Sequence, residues 1–545
     1  MTKPEDDSIN ELQDEQKAEP RREYMSRREA RRAEALRLMQ RFRAVGILRL
    51  VTLAAGLLTG WLVLNGLAFW WLLPPAAVFL VLAFIQERIT QARRRRERAA
   101  EYYEQGIARL DEQWAGRGAT GERFHNSSHP YAEDLDLFGA GSLFELLSTA
   151  RTRVGEETLA QWLMSPAANE VVRARQQAVA ELRQRLDLRE ELALLGEGIR
   201  SGEDAKALAV WAAAPPWLVS RFVRVMALVL ALLGLSTLIY GAAGYGWVPF
   251  LVALILGRAF AFQMQTQVKH VISAVELPGR DLSLLAEVLK RLEREQFRSP
   301  RLVELRRALD VEGLSPSRQI AGLIRLIDLL DARRNLIFAP LAGILLWPLQ
   351  FAIRIEGWRQ TSGPAVPRWL AAVGELEALN SLASYAYEHP QDPFAELSDD
   401  RACFEGEGLG HPLLPESRNV RTDLRLSDEL RVLVVSGSNM SGKSTLLRSL
   451  GTNTVLALAG APVRARRLRL SPLQVGASIR NQDSLQAGAS RFYAEITRLR
   501  QIVELTKTEL PVLFLLDEIL HGTNSHDRRI GAEGVVRGLI ERGAL

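Results

Sequence analysis

One stretch of this chain concentrates residues suited to phosphate chemistry: Gly437, Ser438, Asn439, Met440, Ser441, Gly442, Lys443, Ser444 and Thr445. Residues 437–444 fit G-x-x-x-x-G-K-S, the spacing of a loop that wraps phosphates. Its glycines let the backbone curl so that successive amides converge on one anion. At that spacing Lys443 is placed to reach the β and γ phosphates, and the Ser444 hydroxyl to bind Mg²⁺. A second pair, Asp517-Glu518, ends the apolar run at 511–516. There the Asp517 carboxylate is expected to hold Mg²⁺ through water, and Glu518 to polarise an attacking water. The chemistry this predicts is ATP hydrolysis. Glu518 and Lys443 are its catalytic candidates, residues 437–445 its nucleotide ligands, and Ser444 and Asp517 its metal ligands.

Such a loop works between a buried strand and the start of a helix. RVLVVS at 431–436 is a short apolar run suited to a buried parallel strand, and STLLRSLGTNTVLALAG at 444–460 reads as the helix. PVLFLLDE at 511–518 supplies a second buried strand. Together they predict an α/β phosphate-loop hydrolase domain of the ATP-binding-cassette type over 396–545. Its boundary falls in a stretch containing His411-Pro412 and Pro415.

GSNMSGKST at 437–445, DSLQAGASRFYAEI at 483–496 and DEILHGTNSHD at 517–527 together resemble the ATPase domain of the MutS mismatch repair family. Asp483, Gly488, Ala489, Ser490, Phe492 and Glu495 fall at that family's spacing. Upstream, Ser142-Leu143, Thr152, Gly155, Leu159, Trp162-Leu163, Pro166, Arg175-Gln176 and Val179 are similar to the start of its helical core. The resemblance covers roughly 130–220 and 270–545. It implies a homodimer joined through the ATPase domains, with Ser490 reaching across to the γ-phosphate as a third catalytic residue. Ser490 also suits the N-cap of a helix opening at RFYAEI. Asp527 resembles the aspartate of a loop crossing that dimer interface. His411 falls near the family's adenine side, or serves a turn before Pro412.

The chain departs from the family in three places. No mismatch-reading or connector domain is recognisable in 1–130, and a DNA clamp is short or missing between 290 and 335. The family continues past the helix after Asp517-Glu518 into a strand ending in a Thr-His pair, so a truncated reading frame or a fragment is expected. DNA is a partner by resemblance alone, and mismatch specificity is not expected.

Of the 545 residues, 24% are charged and 47% hydrophobic, which suits several packed domains rather than a disordered chain. A single cysteine, Cys403, excludes an internal disulfide framework and any cysteine-based zinc site. Yet residues 50–86 and 225–257 contain no Asp, Glu, Lys or Arg. The first run would measure about 55 Å as one helix, whereas a bilayer core needs about 30 Å. Each run therefore reads as a hairpin. The first breaks near Asn65-Gly66 into spans at 46–64 and 67–85, and the second near Gly241–Gly246 into spans at 225–242 and 246–262. Arg21 to Arg43 and Arg88 to Arg98 flank the first hairpin, and Arg221, Arg224, Arg258 and Lys269 the second. The tips are uncharged. The positive-inside rule then places both termini and all large segments in the cytoplasm of a bacterial-type inner membrane, with membrane lipid as a partner. The apolar stretch Leu336–Ile353, interrupted by Pro340, Pro348 and Gln350, reads as a buried or interfacial helix rather than a fifth span.

The domain reading follows. A tail at 1–44 is disordered over its acidic first 20 residues and then a basic helix. A membrane hairpin spans 45–98, an all-α core 99–224, a second hairpin 225–262, a helical core and lever 263–395, and the ATPase region 396–545. In the lever, Leu282, Leu285, Val288, Leu289 and Leu292 mark one helical face, and Ile320, Leu323, Ile324, Ile327 and Leu330 another. The leading function is a membrane-anchored MutS-like ATPase. The alternatives are an ATP-binding-cassette transporter, against which the missing LSGGQ-type signature counts, and a nucleotide-gated membrane adaptor.

Overall fold

The computed structural model describes residues 4–195, 205–215, 220–276, 279–309, 315–335, 338–438, 441–479, 491–520 and 524–545. For 4–18, 205–208, 274–276, 279–284 and 491 it describes the backbone alone. Helix α1 (Pro4–Leu64) turns at Asn65–Ala68 and returns as α2 (Leu73–Leu110), the first hairpin. The turn falls where the Asn-Gly pair places it, with Gly66 at φ 106°. Prolines 74 and 75 delay the start of α2, as they suit a helix's first turn. The acidic segment expected to be disordered is helical from Pro4 onward. It carries four Glu and two Gln, good helix formers that extend the basic helix N-terminally.

The first helical layer holds α3 (Leu143–Leu147), α4 (Arg153–Met164), α5 (Asn169–Arg183), α6 (Leu186–Leu195) and α7 (Ala205–Ala213). Then α8 (Arg221–Tyr240) and α9 (Val248–Gln263) form the second hairpin, turning at Gly241–Tyr245 with Gly244 at φ 91°. Among the described residues three helical stretches, Glu19–Leu64, Phe69–Leu110 and Arg221–Tyr245, are long and apolar enough to cross a membrane. The pair Val248–Gln263 and Gln265–Ser273, bent by 60°, makes a fourth if it is one span. Apolar side chains on both hairpins face outward: Leu50 is 67% exposed, Trp70 72% and Val248 71%.

Seven more helices follow: α10 (Gln265–Glu276), α11 (Gly279–Arg294), α12 (Pro300–Leu309), α13 (Pro316–Asp331), α14 (Ala339–Ile344), α15 (Trp347–Ser362) and α16 (Val366–Glu388). On α11, Leu285, Val288, Leu289 and Leu292 are buried as the periodicity predicts, and on α13 so are Ile320, Leu323 and Leu330. The described part of Leu336–Ile353 is a broken helix. Leu346, at φ 49°, separates α14 from α15. At six residues, α14 is about 9 Å long, far short of a span. It leans on the second hairpin, where a Cβ added at Gly234 would lie 3.1 Å from Ile344 Cγ2.

Helix α16 is the axis of the helical part, with Trp369 and Tyr385 fully buried. Two glycines let α4 approach it. A Cβ at Gly155 would sit 2.1 Å from a Glu377 carboxylate oxygen, and one at Gly374 2.7 Å from the Val154 side chain. Thr152 caps α4 through Gly155 N and donates its hydroxyl to Glu377 Oε2 at 2.5 Å. Burial pushes the Glu377 carboxyl up, opposed by the bonds from Thr152.

Beyond α16 come β1 (Glu396–Leu397), β2 (Phe404–Leu409), β3 (Thr422–Leu426), α17 (Lys443–Ala459), β4 (Arg467–Leu470), β5 (Gln474–Ser478), α18 (Arg491–Leu505), β6 (Val512–Leu516) and α19 (Ser525–Glu541). One sheet has the order β1-β4-β2-β3, and Phe404 stands opposite both Leu470 and Leu426. The other is the parallel pair β5-β6, with Val475 opposite Leu513. The sequence reading missed β1 to β3, although alternation in 404–409 and 422–426 carries a period-2 signal. It also expected a strand at 431–436, and none forms there. Val434 is 84% exposed. The edge of β6 away from β5 is already engaged, because Phe514 N donates to Leu545 O and Leu545 N to Val512 O, each at 2.8 Å. Residues 431–436 pair with none of the named strands, and an apolar run becomes a strand only by pairing.

Candidate functional site

The phosphate-type loop sits at the N-terminus of α17. Gly442, its N-cap, has φ 88°, a conformation that side chains resist, and no side chain caps the helix. A Cβ at Gly437 would meet Ser441 Oγ at 2.7 Å. The loop's curl thus depends on both glycines that the motif specifies. The Lys443 ammonium folds over the loop and donates to the carbonyls of Gly437 (2.8 Å) and Ser438 (3.0 Å). Ser444 follows it into the helix, and its hydroxyl donates to Asp517 Oδ2. Strand β6 delivers Asp517 to this point, and Asp517 N is held by Ser478 O of β5 at 2.9 Å.

The turn after Asp517 is strained. Glu518 (φ 45°) and Leu520 (φ 58°) are both left-handed without being glycine. Glu518 is exposed, while Leu520 is buried and its amide donates to the buried carboxylate of Glu495 on α18. Loop, lysine, Ser444 and Asp517 therefore converge, with Glu518 the next residue along the chain. Thr445 is exposed on the first turn of α17. Asn439, Met440 and Ser490 lie outside the described residues, so the roles expected of them have no geometry here.

Asp527 sits in the first turn of α19, where Asn524 caps it by accepting from Asp527 N (2.9 Å) and donating to Asp527 Oδ2 (2.8 Å). His411 serves the turn. Its Nδ1 accepts from Leu413 N (3.2 Å), and its own amide donates to Asn419 Oδ1 (2.9 Å). Burial, with Arg448 nearby, lowers its pKa to about 4.

The core residues singled out by resemblance grip this half. Gln176 donates to Ala395 O (3.0 Å) just before β1, and the Arg175 guanidinium lies 3.8 Å from the Trp162 ring centroid. Sequence reasoning missed a docking segment at 127–136. Ala477 N donates to Pro130 O (2.9 Å), Ile479 N to the buried carboxylate of Asp134 (2.7 Å), and Arg498 to the carbonyls of Ser127 and His129. These partners stand as much as 371 residues apart in the chain, and no local pattern announces them. Among the described residues no cluster of three His, Cys, Asp or Glu could hold a metal by itself. A cation here would be held by Ser444, Asp517 and phosphate oxygens.

Residues 433–544 match the family model MutS domain V, so this region is an ATPase-type domain, joined to a mostly helical chain. The C-terminal part of the chain is similar to proteins of the MutS family. The chain is 31% identical over 188 residues to Endonuclease MutS2 of Thermus thermophilus, covering 34% of this chain and 24% of that protein. It is 35% identical over 178 residues to DNA mismatch repair protein MutS 2 of Halobacterium salinarum, covering 31% and 20%. To Probable DNA mismatch repair protein Msh6 of Drosophila melanogaster it is 30% identical over 235 residues, covering 41% and 19%. The matched part thus spans about a quarter or less of each of these relatives.

Proposed function

We propose that this chain is a membrane-anchored MutS-like ATPase that binds ATP with Mg²⁺ at 437–445 and hydrolyses it. The observation that carries the reading is the Ser444–Asp517 hydrogen bond, which joins the two halves of a metal site across 73 residues. The residues fit the group. The uncapped N-terminus of α17 suits a phosphate, and Ser444 with Asp517 offers the hard oxygen donors that Mg²⁺ prefers. When bound, Mg²⁺ supplies neutralisation of the charge on the β and γ oxygens. Lys443, released from its own loop carbonyls, gives a point charge to the same phosphates. Glu518, exposed at the mouth of the loop, orients and polarises the attacking water.

In this reading the site is completed by a second copy of the chain, whose Ser490 faces the γ-phosphate. The α/β half is of the ATP-binding-cassette type, and the two hairpins anchor it with both termini in the cytoplasm. Exposed apolar faces on α1, α2, α8 and α9 support the anchoring. The names of the relatives make DNA a candidate partner. Duplex binding through the arginines of α1 and α2 would neutralise phosphates, fall steeply with salt and show no preference for a mismatch.

The decisive test is Lys443→Ala in detergent-solubilised full-length chain. Turnover should vanish while membrane insertion persists, and normal turnover would sink the assignment. Mixing Lys443→Ala with Ser490→Arg chains should restore part of the activity, since one hybrid site keeps both groups. No recovery from proven heterodimers would point to self-contained sites.

A further inference from the structure

We infer that Arg498 is a positioning residue for the carboxylate turn, setting the geometry of Glu518 from the helical half of the molecule. This rests on the ATPase reading above and extends it to a residue outside the phosphate loop and the Asp-Glu pair.

The argument starts from the strained turn. Two left-handed non-glycine residues, Glu518 and Leu520, persist only where their surroundings over-determine them. The restraint on Leu520 is the Glu495 carboxylate, buried on α18 and accepting from the Leu520 amide. A Cβ at Gly531 would meet Leu520 Cδ1 at 2.6 Å, so α19 also closes over that side chain. Glu495 can hold the turn only as firmly as α18 is itself held.

Arg498 lies three residues along α18, on the same face as Glu495. Its guanidinium donates to two backbone carbonyls of one segment, Ser127 O at 2.7 Å and His129 O. That segment is fastened to the end of α4. His129 Nε2 contacts Met164 O at 3.1 Å, and the Tyr131 hydroxyl donates to Leu163 O at 3.0 Å. Its Asp134 also accepts from Ile479 N, one residue past β5. Helix α4 in turn is capped by Thr152, which grips Glu377 of α16. The route therefore runs along the chain from Glu518 to Leu520, across its bond to Glu495, along α18 to Arg498, and through 127–131 to α4 and α16. The two-carbonyl grip uses the fixed fork of an arginine, which a lysine reproduces one bond at a time.

The test uses full-length chain in detergent, with turnover normalised to sites that bind a fluorescent ATP analogue. Arg498→Ala should lower kcat at least about tenfold, as a small misplacement of a catalytic group does. Its KM for ATP should stay within about twofold, because the phosphate loop is untouched. Arg498→Lys should recover part of kcat, which a variant that merely lost folded protein would not show after normalisation. Unchanged kcat per site in Arg498→Ala, beside an active wild type and an inactive Lys443→Ala, overturns this inference alone. A wild type that binds nucleotide without turnover overturns the hydrolysis reading and this inference with it.

Discussion

The two hairpins are attached to the helical core by opposite means. The first is tied at its base by buried charge. Arg109 of α2 forms a two-pronged ion pair with Glu388 at the end of α16, and the Tyr24 hydroxyl of α1 donates to the same carboxylate. A second carboxylate, Glu190, receives Arg31 and Tyr103. The second hairpin is tied by shape, through buried Ala227, Ala231 and Gly234 on α8 and close contact with Ile344 of α14. The difference teaches where each joint stands relative to water. Charge can be gathered below the apolar run, because Arg109 is 23 residues beyond Gln86 (109 − 86). On the membrane-anchored reading proposed above, close packing is what suits an apolar span, since an unpaired polar group there would have no solvent to fall back on.

The comparison breaks hardest at Glu388. Glu388→Ala leaves the Arg109 guanidinium buried without its carboxylate and should cost about 3–5 kcal/mol. This should be the largest fall in thermal unfolding midpoint in detergent. Arg109→Met combined with Glu388→Leu should recover most of the loss. A double variant no better than the single would show that charge is not what holds this joint.

The comparison is sharpest above pH 6.5, because His411 adds a pH-dependent term of its own. Its folded pKa of about 4 lies below the ordinary 6.5. The unfolded chain therefore binds the proton more readily, and stability present above 6.5 is lost as pH falls towards 4. The loss should approach about 3 kcal/mol. His411→Asn should flatten that slope of stability with pH, and an unchanged slope would assign it elsewhere.

At the second hairpin, Gly234→Leu should push Ile344 aside and cost about 1–3 kcal/mol. The matching change in the first hairpin, Gly56→Leu, should be nearly neutral, since a Cβ there lies 3.8 Å from Pro75. Equal losses at both positions would erase the contrast. Within the first joint a smaller loss than that of Glu388→Ala is expected for Arg31→Met, about 1–2 kcal/mol. Glu190 keeps the Tyr103 hydroxyl at 2.6 Å. A loss as large as that of Glu388→Ala would mean that the two carboxylates work as one network.

Much of the candidate site was legible in the sequence. The loop, Lys443, Ser444 and Asp517 announce themselves because their chemistry requires fixed spacing on adjacent elements. The hairpin turns at Asn65-Gly66 and Gly241–Gly246 were legible too, because glycine relieves left-handed strain that other residues resist. The sheet β1-β4-β2-β3 was not. Its strands are two to six residues long and full of Arg and Glu, which pair across the sheet, as Arg467 does with Glu396 at 2.9 Å. Opposite charges on neighbouring strands make each strand look polar when read alone.

What the sequence by itself determined is therefore local: helix faces, caps such as Thr152 and Asn524, turn glycines, apolar runs and the phosphate-type motif. Each depends on residues a few positions apart, whose relative geometry the backbone dictates. The tertiary structure alone decided that 431–436 stays unpaired, that Glu388 anchors a hairpin, and that 127–136 grips β5 and α18. Those outcomes depend on which distant groups meet, as Asp134 meets the amide of Ile479. Competition between segments hundreds of residues apart is settled by packing and by the need to satisfy every buried amide and carboxylate, a requirement on the whole chain at once.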